Sequence, residues 1–138
     1  MLKRTLFSFG LLILAALLTG ALTAAAPLPN VTFTLVSGLP STMNVGDTAT
    51  VVVQVTSDQD FNFAQMMPTF FFPGRGVVAV QGTDHAGSGK TATLAITFKA
   101  KGSTTDLGGA IPVSVVTGAR YQGGFVASQR FDFNVTVP

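Results

Sequence analysis

Asp84-His-Ala-Gly-Ser-Gly-Lys-Thr91 comes closest of any segment to a chemistry-bearing motif. It departs from a phosphate-binding Gly-x-x-x-x-Gly-Lys-Thr loop only at Asp84, which stands where the first Gly belongs, and it follows the apolar run Val77 to Val80. Such a loop must open a helix whose amides and dipole face the phosphates. Here Thr91 to Lys99 alternates apolar and polar residues as a strand does, and Asp84 would turn a carboxylate toward the anion. The segment therefore reads as a hairpin loop. His85, the chain's one histidine, sits between Asp84 and the nearby Ser88. A nucleophile, a base and an orienting acid must converge from different directions, which neighbours on one short loop do not achieve. No catalytic residue is assigned, and the chain is read as no enzyme.

A second constellation is Asp58, Asp60 and Asn62, spaced like the first three ligands of a calcium loop. Phe63 occupies the place of the turning Gly and Thr69 that of the bidentate Glu, which excludes an EF-hand. A looser calcium site that also drew on a distant acid such as Asp106 stays open. Otherwise no metal or cofactor is expected. The chain has no Cys, so disulfides, thiolate metal sites and attachment of lipid or haem through Cys are all removed.

The third feature is Phe61-Asn-Phe-Ala-Gln-Met-Met-Pro-Thr-Phe-Phe-Phe72. In a strand Phe70 and Phe72 share one face while Phe71 takes the other, and Pro68 has no amide for a ladder, so the segment belongs at a sheet edge or bulge. A bare phenyl ring forgoes about 1.5–3 kcal/mol of burial. Either a loop covers this stretch or Met66, Met67, Phe70, Phe71 and Phe72 form an interaction surface.

The elements that would position these residues read plainly. Residues 1–26 place Lys3 and Arg4 before the apolar run Leu6 to Leu18 and close on Thr23-Ala-Ala-Ala26, the layout of a secretory signal peptide in a short N-terminal helix. Cleavage after Ala21 or Ala25 avoids Pro27 at the scissile bond; the alternative is an uncleaved anchor, since about 20 apolar residues approach the span of a bilayer. A type IV prepilin leader is set aside because the chain has no Glu. Either way the remainder is expected outside the cytoplasm, secreted or at the cell surface, and meets a membrane only through an uncleaved leader.

Of the 8 Lys and Arg, Lys3 and Arg4 belong to that leader, which leaves six bases against 6 acids and a balance of zero. Nucleic-acid binders carry a basic stripe that supplies most of their affinity, and six scattered bases do not make one. No nucleic-acid partner is expected.

After the linker 27–30, period-two patterns dominate. Val31, Phe33 and Leu35 alternate with Thr32 and Thr34; Ala49, Val51, Val53 and Val55 with Thr48, Thr50, Val52, Gln54 and Thr56; Ala92, Leu94, Ile96 and Phe98 with Thr91, Thr93, Ala95, Thr97 and Lys99; and Phe131, Phe133, Val135 and Val137 with Arg130, Asp132, Asn134 and Thr136. With Phe61 to Phe72, Val77 to Val80 and Ile111 to Thr117 this makes about seven strands. Gly-containing turns punctuate them at Asn44-Val-Gly-Asp47, Gly108-Gly109 and Gly123-Gly124, and no helical period follows Pro27. The expected fold class is all-β, two antiparallel sheets packed face to face over residues 31–138.

The run Leu39-Pro-Ser-Thr-Met-Asn-Val-Gly-Asp-Thr-Ala-Thr-Val-Val-Val-Gln-Val-Thr56 resembles the opening of bacterial immunoglobulin-like domains of secreted and cell-surface proteins. Ala92-Thr-Leu-Ala-Ile-Thr-Phe-Lys-Ala-Lys-Gly102 is similar to a stretch of cohesin modules, although a cohesin's Phe-Asp-Pro turn is not clearly present. The resemblance implies an immunoglobulin-like β-sandwich in a surface setting, with a structural or adhesive role and a protein or surface polymer as partner. Two alternatives stand beside it: a filament subunit that self-associates through the extended segment Pro27 to Val36, and a small carbohydrate-binding module.

Overall fold

A computed structural model describes residues 26–70, 76–81 and 84–138, with Phe70 described in its backbone alone. The leader therefore lies outside the described residues, and so do Phe71 and Phe72.

Eight strands follow in chain order: β1 (Val31–Ser37), β2 (Thr48–Phe61), β3 (Phe63–Phe70), β4 (Val78–Val80), β5 (Asp84–Ala86), β6 (Gly89–Ala100), β7 (Ala110–Arg120) and β8 (Val126–Thr136). They form two four-stranded sheets, ordered β1-β2-β6-β4 and β5-β3-β7-β8, with every named pair antiparallel. The all-β, two-layer expectation holds. Taking the strands as A, B, C, D, an added strand, E, F and G, the sheets read A-B-E-D against C-F-G plus one edge strand, the arrangement of an immunoglobulin-like sandwich.

The alternating residues account for the core. Val51 and Val53 of β2 pair with Ile96 and Leu94 of β6, flanked by Val55 opposite Ala92 and Phe98 opposite Ala49, and Val113, Val115, Val135 and, just past β8, Val137 close the layer from the second sheet; these Val, Leu, Ile and Phe side chains are all fully buried. Val31, Phe33, Phe131 and Phe133 pack against this cluster half-buried. Leu35 is the exception among the expected core residues. Register slips between Leu35 and Ser37, so Val36 bulges out and Leu35 stands exposed at the end of the edge strand.

Two further expectations are corrected. Phe61 to Phe72 is not one strand: the chain leaves the first sheet after Phe61, turns at Asn62, whose amide donates to the Arg120 carbonyl at 2.8 Å, and enters the second sheet at Phe63. The crossing inserts the Phe61 ring between the layers, edge-on to Tyr121 with centroids 6.4 Å apart. Nor is Asp84 to Thr91 a hairpin loop. Asp84–Ala86 pairs with β3 in one sheet while Gly89 onward pairs with β2 in the other, so Gly87 and Ser88 carry the chain between layers. Three residues framed by Gly and Ser carry too little periodicity to announce a strand.

Polar groups that enter the core are paired. The Tyr121 hydroxyl donates to Ser57 Oγ at 2.7 Å, a bond across the interior, and Ser57 Oγ also accepts the Gln59 amide at 3.2 Å where the β2 register breaks. Thr104 is fully buried and pins the last strand, its hydroxyl donating to the Val137 carbonyl and accepting the Val137 amide. Met43 is buried as well, held by its amide on the Thr136 carbonyl at 2.9 Å, and this lays residues 41–43 along the end of β8.

Candidate functional site

The outer face of the second sheet gathers the residues on which a partner could dock. Ala64 and Met66 of β3 point into the core, so by the two-residue period Phe63, Gln65 and Met67 point outward. Register aligns them with β7 and β8: Phe63 opposite Arg120 and then Val126, Gln65 opposite Gly118 and then Ser128, Met67 opposite Val116 and then Arg130. On the other side of β3, His85 of β5 lies opposite Gln65.

Phe63, Met67 and Val126 are 37%, 51% and 52% exposed, large apolar side chains together on one face. The Phe63 and His85 rings stack with centroids 5.8 Å apart and planes 26° from parallel. Gly118 has no side chain to fill the centre of the sheet, and a hollow of about 160 Å³ forms there, lined by Phe63, Gln65, Gly118, Ala119, Arg120 and Val126. A second shallow hollow lies on the far side of the Phe63 ring, against Met67, Asp84 and His85. The Arg120 guanidinium borders the first hollow with no carboxylate partner among the described residues. Gln65 stands between Phe63 and Met67 along β3, and Arg120 between Phe63 and Val126 across the sheet, so apolar and polar side chains interleave around the hollow.

The residues expected to form the interaction surface fall in different places. Met67 is exposed on this face, whereas Met66, expected beside it, is fully buried in the core because adjacent strand residues take opposite faces. Phe70 lies at the end of β3, and Phe71 and Phe72 lie outside the described residues. The Pro68 expectation holds locally: β5 covers β3 only from Ala64 to Met66, so from Met67 onward β3 pairs with β7 alone among the described residues. Sequence reasoning missed Phe63, Gly118, Arg120 and Val126. Gln65 was the available signal, since a lone amide between apolar neighbours marks the outward parity of β3.

The motif-like residues do other work. Asp84 Oδ1 accepts the His85 amide and Oδ2 accepts the Ala95 amide, both at 2.9 Å. Backbone bonding along this edge of β6 continues past Val80 to the Gln81 amide, which donates to the Thr97 carbonyl at 2.8 Å, and Asp84 is the acceptor at Ala95, tying the two sheets together. Its carboxylate is therefore committed to backbone amides. His85 faces outward on the stack with Phe63, so Asp84, His85 and Ser88 form no relay. Ser114 Oγ donates to Asp132 and accepts Arg130 Nη2, with Arg130 Nε on Asp132 at 2.6 Å. The Ser114 hydrogen bond and then Arg130 hold the Asp132 carboxyl below the usual aspartate range. Strand β3 stands between this cluster on β7 and β8 and His85 on β5, so the imidazole is kept apart from the Ser114 hydroxyl.

Of the calcium candidates, Asp58 accepts the Asn30 amide at 2.8 Å and its side-chain amide at 3.2 Å, which fastens the start of β1. Asp106 lies in the 3-10 turn Thr105–Leu107 before β7, at the end of the sandwich where β2 begins, whereas Asp58 lies near the end of β2. Ten residues of strand at ~3.3 Å each put the two on the order of 30 Å apart, so they share no site. Among the described residues no three His, Asp or Glu side chains group to hold a metal ion.

No family model matches the chain, and no curated protein sequence matches it. Solved structures do. Over 78% of its length the chain is similar to Escherichia coli alpha-2-macroglobulin, at 18% identity and a TM-score of 0.46, and spans 6% of that protein. It is similar to murine CRIg over 79% of its length, covering 98% of that chain, at 9% identity and a TM-score of 0.40. A variant of the SrpA adhesin of Streptococcus sanguinis matches 83% of the chain at 13% identity and a TM-score of 0.40, with 57% of the adhesin chain covered. Among the described residues no helix is long and apolar enough to cross a membrane.

Proposed function

We propose that this chain is a non-enzymatic, extracytoplasmic immunoglobulin-like module that binds a protein partner at the cell surface through the outer face of β3, β7 and β8. The observation that carries the reading is the Gly118 hollow, with Phe63 and Val126 exposed on its walls and the Arg120 guanidinium at its rim. A partner side chain seated there gains apolar burial at roughly 25 cal/mol per Å² and offers Arg120 a carboxylate or carbonyl. The rest of the face supplies complementary polar contacts around that centre. The leader read from residues 1–26 supports export.

Gly118 is the site for the test. A Cβ there would meet only the Ala127 carbonyl oxygen, at 3.5 Å, an ordinary contact, so the backbone accepts a side chain and Gly118→Val projects one over the hollow, with unchanged circular dichroism required as the check that the sheet is kept. Labelled protein is titrated onto intact envelopes of the producing cell. Gly118→Val is expected to bind at least ten-fold more weakly than wild type, while Thr93→Val on the opposite sheet binds normally. Undiminished binding by Gly118→Val refutes the proposal. Trypsin treatment of the envelopes distinguishes a protein partner, which it removes, from a surface polymer, which it leaves.

A further inference from the structure

The two sheets present four lateral edges, and three of them are guarded. β4 and β5 are three residues long each, too short to template another strand. β8 carries the Arg130–Asp132 ion pair, and residues 41–43 lie against its last turn of ladder through the Met43 amide and the Thr136 amide. β1 has neither defence. Nothing among the described residues pairs with its outer edge, and no charged residue occurs between Arg4 and Asp47. Its flat portion runs from Val31 to Leu35, up to the bulge at Val36, whose side chain is 61% exposed. Asn30 and Pro27 are tied back to Asp58 and Gln59 of β2, so this strand enters pairing already ordered.

We infer that β1 is a self-association edge whose occupant is β1 of a second copy, antiparallel about a two-fold axis at Phe33. That register sets Thr32 opposite the partner's Thr34, Phe33 opposite the partner's Phe33, and Val31 opposite the partner's Leu35. Each pair keeps its face, because antiparallel pairing about a central residue preserves the two-residue alternation. The outward Thr side chains of β1, which continue the polar rows of β2 and β6, then run on into the second copy's sheet, and the half-buried Val31 and Phe33 meet apolar neighbours. Cross-strand Thr pairs are favourable and like charges directly opposite are not. A two-fold contact brings the same surface against itself, so any lone charge would face a like charge at or near its own position. An uncharged strand sets no such repulsion against the contact. The new backbone hydrogen bonds supply the affinity, and the Thr, Phe and Val alternation sets the register. This surface is separate from the β3, β7 and β8 face, so the inference stands or falls independently of the docking role.

The test uses the chain from Pro27, since among the described residues the core draws on none before Val31. Sedimentation equilibrium is expected to show a reversible dimer with a dissociation constant in the micromolar range of weak, small interfaces. Thr32→Lys with Thr34→Lys opposes Lys to Lys twice in the inferred register and is expected to weaken dimerisation at least ten-fold, with unchanged circular dichroism. The matching pair of Glu substitutions behaves likewise alone, and an equimolar mixture of the two variants restores dimer as a Lys–Glu heterodimer. A wild-type monomer up to about 1 mM, a Lys variant that dimerises like wild type, or a mixture that stays monomeric each overturns the inference.

Discussion

The Tyr121–Ser57 bond offers a test of how the two sheets are held in register, because its two ends differ in what their loss leaves behind. Both residues are buried, and the hydroxyl-to-hydroxyl distance is 2.7 Å. Tyr121→Phe removes one hydrogen bond but leaves Ser57 Oγ its Gln59 amide, so the loss is that of a single neutral bond, about 1 kcal/mol. Ser57→Ala strands the Tyr121 hydroxyl in the interior and deprives the Gln59 amide of its acceptor, which costs about 2–3 kcal/mol. The double substitution removes both buried oxygens and leaves only the Gln59 amide to find water, about 1 kcal/mol. The cycle should therefore show a coupling of about 2–3 kcal/mol. With no Trp and a single Tyr in the chain, fluorescence is a poor probe, and urea unfolding is followed by far-ultraviolet circular dichroism. At about 4 °C of melting temperature per kcal/mol for a domain of this size, Ser57→Ala should melt about 8–12 °C lower and the double variant only about 4 °C lower. Losses that simply add would refute the assignment of this bond as a coupled, buried pair.

Two further outcomes follow from the edge and outer-face geometry. Asp84→Ala should release the Ala95 amide, raising its hydrogen-exchange rate at least about ten-fold and lowering stability by about 1–2 kcal/mol, with Asp84→Asn, which keeps one acceptor oxygen, falling between; an unchanged Ala95 rate would sink the edge-capping role. Asp132, whose carboxyl is held below the ordinary aspartate value of 3.8 first by Ser114 and then by Arg130, stabilises the fold above its unfolded-state value. That contribution is lost as pH falls through the lower folded value; an NMR titration of the Asp132 carboxyl that finds its midpoint at or above 3.8 contradicts it.

Much of the architecture was legible because period-two alternation is a local property. Val51 to Val55, Leu94 to Phe98 and Val135 to Val137 declare their buried face within a few residues, and the structure buries them all. The misreadings fall where local pattern carries no information on connectivity. Phe61 to Phe72 looks continuous in composition, but the layer change at Asn62 needs the Arg120 carbonyl as its acceptor, 58 positions on. Asp84–Ala86 becomes a strand only because β3 is there to pair with it, and Asp84 itself, suspect as a phosphate-loop or catalytic residue, is spent on the amide of Ala95 in the neighbouring sheet.

The candidate site divides in the same way. Residue by residue, the chain already specified a disulfide-free, charge-poor β-chain, since absence of Cys and alternation need no third dimension. That Met67 faces water while Met66 is fully buried was decided by which face of β3 the second sheet turns to the core. The hollow is wholly a tertiary product. Phe63 lies far along the chain from Gly118, and only the pairing of β3 with β7 and of β7 with β8 sets the missing side chain of Gly118 beside the row of Phe63, Arg120 and Val126.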